Sequence, residues 1–509
     1  MRVEDGFQPK PYIVEHPYLD DPVLPSLLER ILPQAVNHEL SEDLTRLGHV
    51  LVEEIRPLAP LVHAATLTQY NEFGPRVDRL HTSKGWRQLK TFAVREGYTA
   101  IAFERKYGEH SRTFQLARAM VMIGDSHVIV CPMGMTDGAA RHAMKTEILP
   151  RIRPGGSDVS LTETTASPTA RTSTDLGPPY ILDGLKWFSS AAEGNIAAPS
   201  SYPYPTPLSN GVRMHRLKNK VGTHGVPTAE LELRGTRAWL LGPPGEGVKC
   251  IAQMLNITRV HSAVHSVGSL QRARVRGGGG STMLHALAHL TFGAAVLLGK
   301  SECGAAGVGE EARLRMLTPA VKAYAAERAT GGMERAMGAL GGLGLIRDAS
   351  VEKIWEGTIN ICGLDLVRAV TKDPQAVAHY MSWARAVLAS VPSQLRQDSQ
   401  RASDMLSRAL DKLPGYFAEG AANPLLPCVV LNYFAIVSCA LYLLEHASWS
   451  HTSCKPTRAV DAEAFRRWVE GGDLAKAEGE VEFARADFRA RAEMNFRLAF
   501  GASEVSAKL

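Results

Sequence analysis

Between Pro150 and about Gly247 the chain changes character: Gly, Pro, Thr and alternating apolar residues replace the longer periodicities on either side. Such a stretch forms short strands joined by turns. Tyr180-Ile181-Leu182 before an Asp183-Gly184 turn is one strand expectation, and the alternation Ala229, Leu231, Leu233 is another. The pattern by itself establishes a β-rich middle.

The flanks read as helical. After a Pro-rich entry, residues 1 to about 145 are interrupted by a Gly/Pro-broken loop at Tyr70–Arg79. The spacing of Phe114, Leu116, Met120 and Ile123 predicts an amphipathic helix. Cys131-Pro132-Met133-Gly134-Met135-Thr136 begins another, with proline near its first turn. Beyond Gly247 the chain is helical again through Leu255–Arg259, and from about Val370 a further helical domain follows. Cys428–Leu444 is apolar but short for a membrane span and broken by Asn432, so a buried helix is expected. Phe488, Ala492, Phe496 and Phe500 recur every four residues and predict one apolar face packed on the rest.

At 509 residues the chain is long enough for three or four domains with a substantial core. A net charge of +5, with basic and acidic residues interspersed, gives no nucleic-acid footprint. Asp473, Glu478, Glu480, Glu482 and Asp487 offset the arginines near the C-terminus. Seven cysteines without a Cys-x-x-Cys pair argue against a disulfide framework or a thiolate metal site, and for a reducing compartment. Glu4 and Asp5 precede no apolar run, so neither a secretory signal nor a transit peptide is expected. The ending Ala507-Lys508-Leu509 is a close variant of the Ser-Lys-Leu peroxisomal address. A peroxisomal location, with the import receptor as partner, is the expectation; a cytoplasmic one is the alternative.

The chemistry concentrates between Arg347 and Asp365, where Arg347-Asp348-Ala349 precedes Ile354-Trp355-Glu356-Gly357-Thr358. A carboxylate follows an indole and precedes the one residue type that lets backbone approach a planar ligand. Burial against Trp355 is expected to raise the Glu356 pKa towards neutrality, where the carboxylate can take and hold a carbon-bound proton. Taken alone, these residues fit a helix start equally well. In the middle region, Pro154-Gly155-Gly156-Ser157-Asp158 is a glycine turn with side chains able to meet a polar ligand. Lys186-Trp187-Phe188-Ser189-Ser190 follows a strand. Lys218 and Lys220 are candidates for an acidic group such as a CoA phosphate, against the commoner reading of solvated strand lysines.

Together these segments resemble the flavin-dependent acyl-CoA dehydrogenase superfamily, in the branch typified by the bacterial alkylation-response flavoprotein. The resemblance runs over most of residues 20 to 370. It implies an α+β fold: an N-terminal helical domain (1–148), a middle antiparallel β-domain (149–247), a C-terminal helical catalytic domain (248–372) and an appended helical domain (373–509). It implies FAD as cofactor, an acyl-CoA substrate and a homodimer or homotetramer. Glu356 is then the base that removes the α-proton, and Arg259 lies near the base and substrate. Gly156, Ser157, Trp187, Ser189, Gly341, Gly342, Gly357 and Thr358 contact the cofactor. The run Arg276-Gly277-Gly278-Gly279-Gly280-Ser281 stands where the family has a long helix and reads as a flexible link. The implied reaction is α,β-dehydrogenation in fatty-acid or secondary-metabolite (toxin) metabolism. An oxidase-like use of oxygen, or a flavin-binding, DNA-associated protein with little turnover, are the alternatives.

Overall fold

The computed structural model describes residues 16–146, 164–169, 177–193, 210–240, 243, 247–273, 281–340 and 346–501. The fold is α+β. Helices α1 (Leu24–Ile31), α2 (Gln34–Val50), α3 (Lys84–Arg95), α4 (Ala100–Glu104), α5 (Ser111–Ile123) and α6 (Val130–Thr146) form the N-terminal block. Ser83 caps α3 by accepting the Trp86 amide at 3.2 Å.

Two expectations for this block are corrected. Tyr70–Arg79 is not a plain loop: β1 (Thr66–Tyr70) and β2 (Arg76–His81) pair antiparallel across a five-residue connection. Helix α5 is not amphipathic, because all thirteen of its residues are buried. Its charged residues are paired within the interior: Arg112 with Asp137 and with Glu302 at 2.7 Å, and Arg118 with Glu96 at 2.5 Å.

The middle region is an antiparallel sheet in the order β3–β4–β6–β5, from β3 (Thr164–Pro168), β4 (Pro179–Ser190), β5 (Val212–Leu217) and β6 (Thr228–Trp239). Strand β4 runs straight through Asp183-Gly184, where a turn was expected. The Asp183 carboxylate accepts the Gly235 amide at 2.7 Å and so fastens the irregularity to β6. Val212, Met214, Ala229, Leu231 and Leu233 form the sheet's own small core.

Helices α7 (Gly247–Arg272), α8 (Ser281–Cys303) and α9 (Val308–Leu340) follow, then α10 (Ile346–Ala349) and α11 (Ile359–Lys372). Helices α12 (Gln375–Ala389), α13 (Ser393–Asp398), α14 (Gln400–Gly420), α15 (Leu426–Thr452), α16 (Arg458–Glu470), α17 (Asp473–Arg485) and α18 (Phe488–Phe500) complete the chain. One continuous apolar core joins the N-terminal block, α7–α9 and α11–α17.

Helix α15 has 27 residues, longer than expected for the apolar stretch inside it. With Thr282–Cys303 it is one of two described helices long and apolar enough to cross a membrane; 83% of each apolar window is buried within the fold. The α18 expectation is also corrected. None of its residues is buried, and Phe496 and Phe500 pack on each other at 4.9 Å. The acidic residues of α17 serve packing instead: Glu478 pairs with Lys412, and Glu482 accepts the Tyr416 hydroxyl at 2.7 Å.

Candidate active site

The segment bearing Glu356 crosses between α7 and α9. After α10, a 3-10 turn (Ser350–Lys353) leads into a bend where Glu356 has φ 58° and Gly357 φ 115°. A non-glycine residue in the left-handed region costs on the order of 1 kcal/mol and persists only where its surroundings hold it. Here three groups do so. Arg259 Nε donates to the Glu356 carbonyl at 3.2 Å, Thr258 Oγ1 donates to Glu356 Oε2 at 2.6 Å, and Lys322 Nζ donates to the Gly357 carbonyl at 2.5 Å. Thr358 then caps α11, accepting the Ile361 amide at 3.5 Å. Glu356, Arg259, Gly357 and Thr358 are thus brought together, and Glu356 is half-buried.

The charges around this bend are arranged in pairs. Asp365, two turns along α11, takes Arg259 Nη1 at 2.6 Å and Arg315 Nη2 at 3.1 Å. Burial pushes the Asp365 carboxyl up, but hydrogen bonds from Arg315 and Arg259 outweigh it and hold the group below the usual carboxylate range. The Trp355 indole, expected to bury Glu356, makes its hydrogen bond to a different carboxylate. The indole Nε1 donates to Glu352 Oε2 at 2.6 Å, since the chain folds back just past the 3-10 turn, where the Trp355 amide donates to the Val351 carbonyl at 3.1 Å. Glu352 is the buried carboxylate. It also accepts the Ser262 hydroxyl at 2.5 Å and has His265 Nδ1 at 3.5 Å.

The β-domain reaches the same region through the turn after β5. The backbone of Gly222 lies so close to Arg347 that a Cβ there would meet the Arg347 carbonyl oxygen at 2.1 Å. Next to it, the Thr223 amide donates to Asp348 Oδ1 at 2.5 Å. Lys220 Nζ donates to the carbonyls of Thr223 and Val226 and to Thr228 Oγ1, and Thr228 in turn contacts Ser190 on β4 at 3.1 Å. Burial pushes the Lys220 amine down to about 8, against the pull of Cys131, Asp348 and Glu193.

Both lysine readings change with this geometry. Lys220 is neither a solvated lysine nor a free phosphate ligand, since its three protons bind the turn. Lys218 bonds Glu230 at 2.5 Å and lies 3.1 Å from the centre of the Trp187 ring.

Of the residues read as flavin contacts, Trp187 and Ser189 lie on β4. The Trp187 side is 63% exposed, and the buried Ser189 hydroxyl has no hydrogen-bond partner among the described residues. An exposed indole beside an unspent hydroxyl fits the edge of a flavin ring, so the described part of the site is compatible with FAD. Gly156, Ser157, Gly341 and Gly342 lie outside the described residues, as do Ala507-Lys508-Leu509.

The sequence reading includes Asp365 in the Arg347–Asp365 stretch without giving it a role, and misses Thr258 and Lys322 as site residues. Thr258, Ser262 and His265 mark one polar line on α7, at helical spacing, each meeting a carboxylate of the 352–356 segment. Lys322 interrupts an otherwise apolar stretch of α9, a lone charge in a core pattern.

Residues 8–151 match the family model for the adaptive response protein AidB N-terminal domain. The chain is 31% identical over 448 residues to acyl-CoA dehydrogenase family member 11 of Caenorhabditis elegans, covering 71% of this chain and 72% of that one. The crystal structure of Caenorhabditis elegans ACDH-11 in complex with C11-CoA superposes with a TM-score of 0.85 at 25% identity, covering 98% of each chain. An acyl-CoA dehydrogenase from Bacillus anthracis complexed with FAD shares the fold at a TM-score of 0.55 and 14% identity, over 82% of this chain and 88% of that one.

Proposed function

The chain belongs to the acyl-CoA dehydrogenase family, in the branch with an AidB-type N-terminal domain, and from that premise we propose FAD-dependent α,β-dehydrogenation of an acyl-CoA thioester. The observation that carries the reading is the Glu356 carboxylate, half-buried and fixed by Thr258 at 2.6 Å on a bend whose backbone is gripped by Arg259 and Lys322. A carboxylate so fixed is prepared to take a proton from the carbon next to a thioester carbonyl. Arg259 holds the Glu356 carbonyl while its charge is balanced by Asp365. Trp187 and Ser189 on β4 would meet the flavin edge, with Gly357 next to the base where backbone can approach a planar ligand. FAD, when bound, supplies the acceptor for the β-hydrogen and its electron pair. The C11-CoA complex of the nematode relative supports an acyl-CoA as ligand, and the FAD complex of the Bacillus protein supports the cofactor.

The finer reading places the enzyme in the peroxisome, on the strength of Ala507-Lys508-Leu509. Oxygen is then a suitable electron acceptor, and the substrate is an acyl chain of fatty-acid or secondary metabolism. A homo-oligomer is part of the same proposal. The test is anaerobic mixing of the FAD-loaded protein with acyl-CoAs of graded length while the flavin absorbance is followed. Bleaching that disappears in Glu356→Gln, with flavin retained, supports the reading. A yellow protein that no acyl-CoA bleaches overturns it, and retention of duplex DNA by such a protein favours the DNA-associated alternative.

A further inference from the structure

Three carbonyls of the six residues from Glu352 to Gly357 end on buried cations from two helices. Arg259 of α7 takes the carbonyl of Glu356 at 3.2 Å. Lys322 of α9 takes the other two, at 2.8 Å from the Glu352 carbonyl and 2.5 Å from that of Gly357. These two acceptors are the ends of the bend, and Glu356 lies between them. We propose that Lys322 is a positioning residue for the base, its ammonium stapling the two ends of the bend so that Glu356 keeps the left-handed conformation that aims its carboxylate. The proposal rests on the dehydrogenase reading for its consequence, and on the geometry alone for the staple.

Lys322 is fully buried, and such a lysine is found only where its charge is compensated. Burial pushes its amine below the usual range, while Cys362, Glu352 and Glu356 pull it back. Its burial leaves it no route to a substrate, so its action passes through the bend. An ammonium suits the task because its donors diverge from one atom and can meet two carbonyls five residues apart. The 3-10 turn ends at Lys353 and Glu356 and Gly357 are consecutive left-handed residues, so no regular ladder continues through the bend; beside Lys322, the Gly357 carbonyl receives the Cys362 thiol, a weak donor, at 3.6 Å. Without the staple, Arg259 and Thr258 would hold Glu356 from one side only. A base displaced by about 1 Å loses on the order of 100-fold in rate.

The experiment compares the full chain with Lys322→Met and Lys322→Gln by hydrogen exchange with mass spectrometry, and by anaerobic flavin bleaching at saturating acyl-CoA. Lys322→Met is expected to speed exchange in the 352–358 peptide about tenfold, with α9 and α15 unchanged. It is also expected to slow bleaching about 100-fold, with the Kd for acyl-CoA within threefold of the parent. Lys322→Gln keeps one donor and recovers part of both effects. Unchanged exchange in that peptide, exchange raised evenly along α9 and α15, or a slower rate arising only from weaker acyl-CoA binding overturns the proposal. Should the parent protein bleach with no acyl-CoA, the functional reading fails, while the exchange data still decide whether the staple exists.

Discussion

Thr258 donates its hydroxyl to Glu356 Oε2 across 2.6 Å, from the residue directly before the arginine that holds the carbonyl of the same glutamate. One turn of α7 therefore fixes both the side chain and the backbone of the base. Thr258→Val keeps the shape and removes the donor, releasing the carboxylate from its rotamer. A hydrogen bond to a charged group contributes about 1.5–3 kcal/mol, so flavin reduction is expected to slow about 10- to 100-fold with unchanged flavin content. Thr258→Ser retains most of the parent rate. Stopped-flow absorbance measures both, and a valine variant as fast as the parent contradicts the assignment.

Asp365 gives a stability prediction with a defined pH dependence. Its carboxyl is held below the usual range by Arg315 and Arg259 in spite of burial. The folded-state value thus lies below the unfolded one. The contribution is complete above about pH 4 and drains away as pH falls through the folded value. Asp365→Asn is expected to lower the unfolding free energy by about 2 kcal/mol near neutrality, less than for a fully buried pair because Arg315 is partly exposed. Urea unfolding of parent and variant should show that gap between pH 6 and 8 and its closure below pH 4. A gap independent of pH contradicts the ion pair as its source.

The interior of α5 supplies a larger effect. Arg112 and Asp137 have side chains 1% and 0% exposed, and Asp137 also meets His261 Nε2 at 2.8 Å. Burial pushes the Asp137 carboxyl up, but Arg112 and His261 outweigh it and hold it below its usual range. Asp137→Asn leaves a buried guanidinium with Glu302 as its remaining carboxylate partner and takes the anion from His261. A loss of about 3–5 kcal/mol follows, read as a lower denaturation midpoint. A loss under about 1 kcal/mol would show that Glu302 suffices.

These sites explain which parts of the protein were legible in the sequence. Glu356, Gly357 and Thr358 are contiguous, yet local pattern alone left them as a helix start; the family resemblance singled them out, and Arg259 with them, and the fold brings the four together. The composition change near Pro150 marked the β-rich middle, and the family resemblance supplied the α+β architecture around it. Lys322, Asp137 and Arg112 stayed hidden because apolar periodicity does not reveal a charge whose partner lies on another helix. Adjacency in sequence pairs Trp355 with Glu356, whereas the fold-back after the 3-10 turn brings its indole N–H to Glu352. The β1–β2 hairpin was masked by its Gly/Pro connection, and the continuation of β4 past Leu182 by an Asp-Gly pair whose carboxylate bonds across to β6.

The seam between α8, α15 and α16 makes the protein sensitive to mild acid. His446 on α15 is 2% exposed and faces Ser26 at 3.3 Å, the His289 ring at 4.4 Å and Asp461 Oδ1 at 3.7 Å. Burial pushes its imidazole down to about 3, with Arg30 of α1 and His285 of α8 adding to the effect, and burial pushes His289 further down. Both folded values lie below the unfolded one, so the unfolded chain binds more protons as pH falls through about 6.5. Stability is then lost at about 1.4 kcal/mol per pH unit for each histidine. Burial pushes Asp461 the other way; its raised folded value returns some stability once it protonates. Urea midpoints should accordingly fall between pH 7 and 5 and flatten as Asp461 takes its proton. Burial lowers His127 and His261 as well, so His446→Asn removes one of four contributing imidazoles and should make the slope in that window shallower without abolishing it. A parent midpoint flat from pH 8 to 5 would mean that these imidazoles are hydrated in solution and that the seam is open.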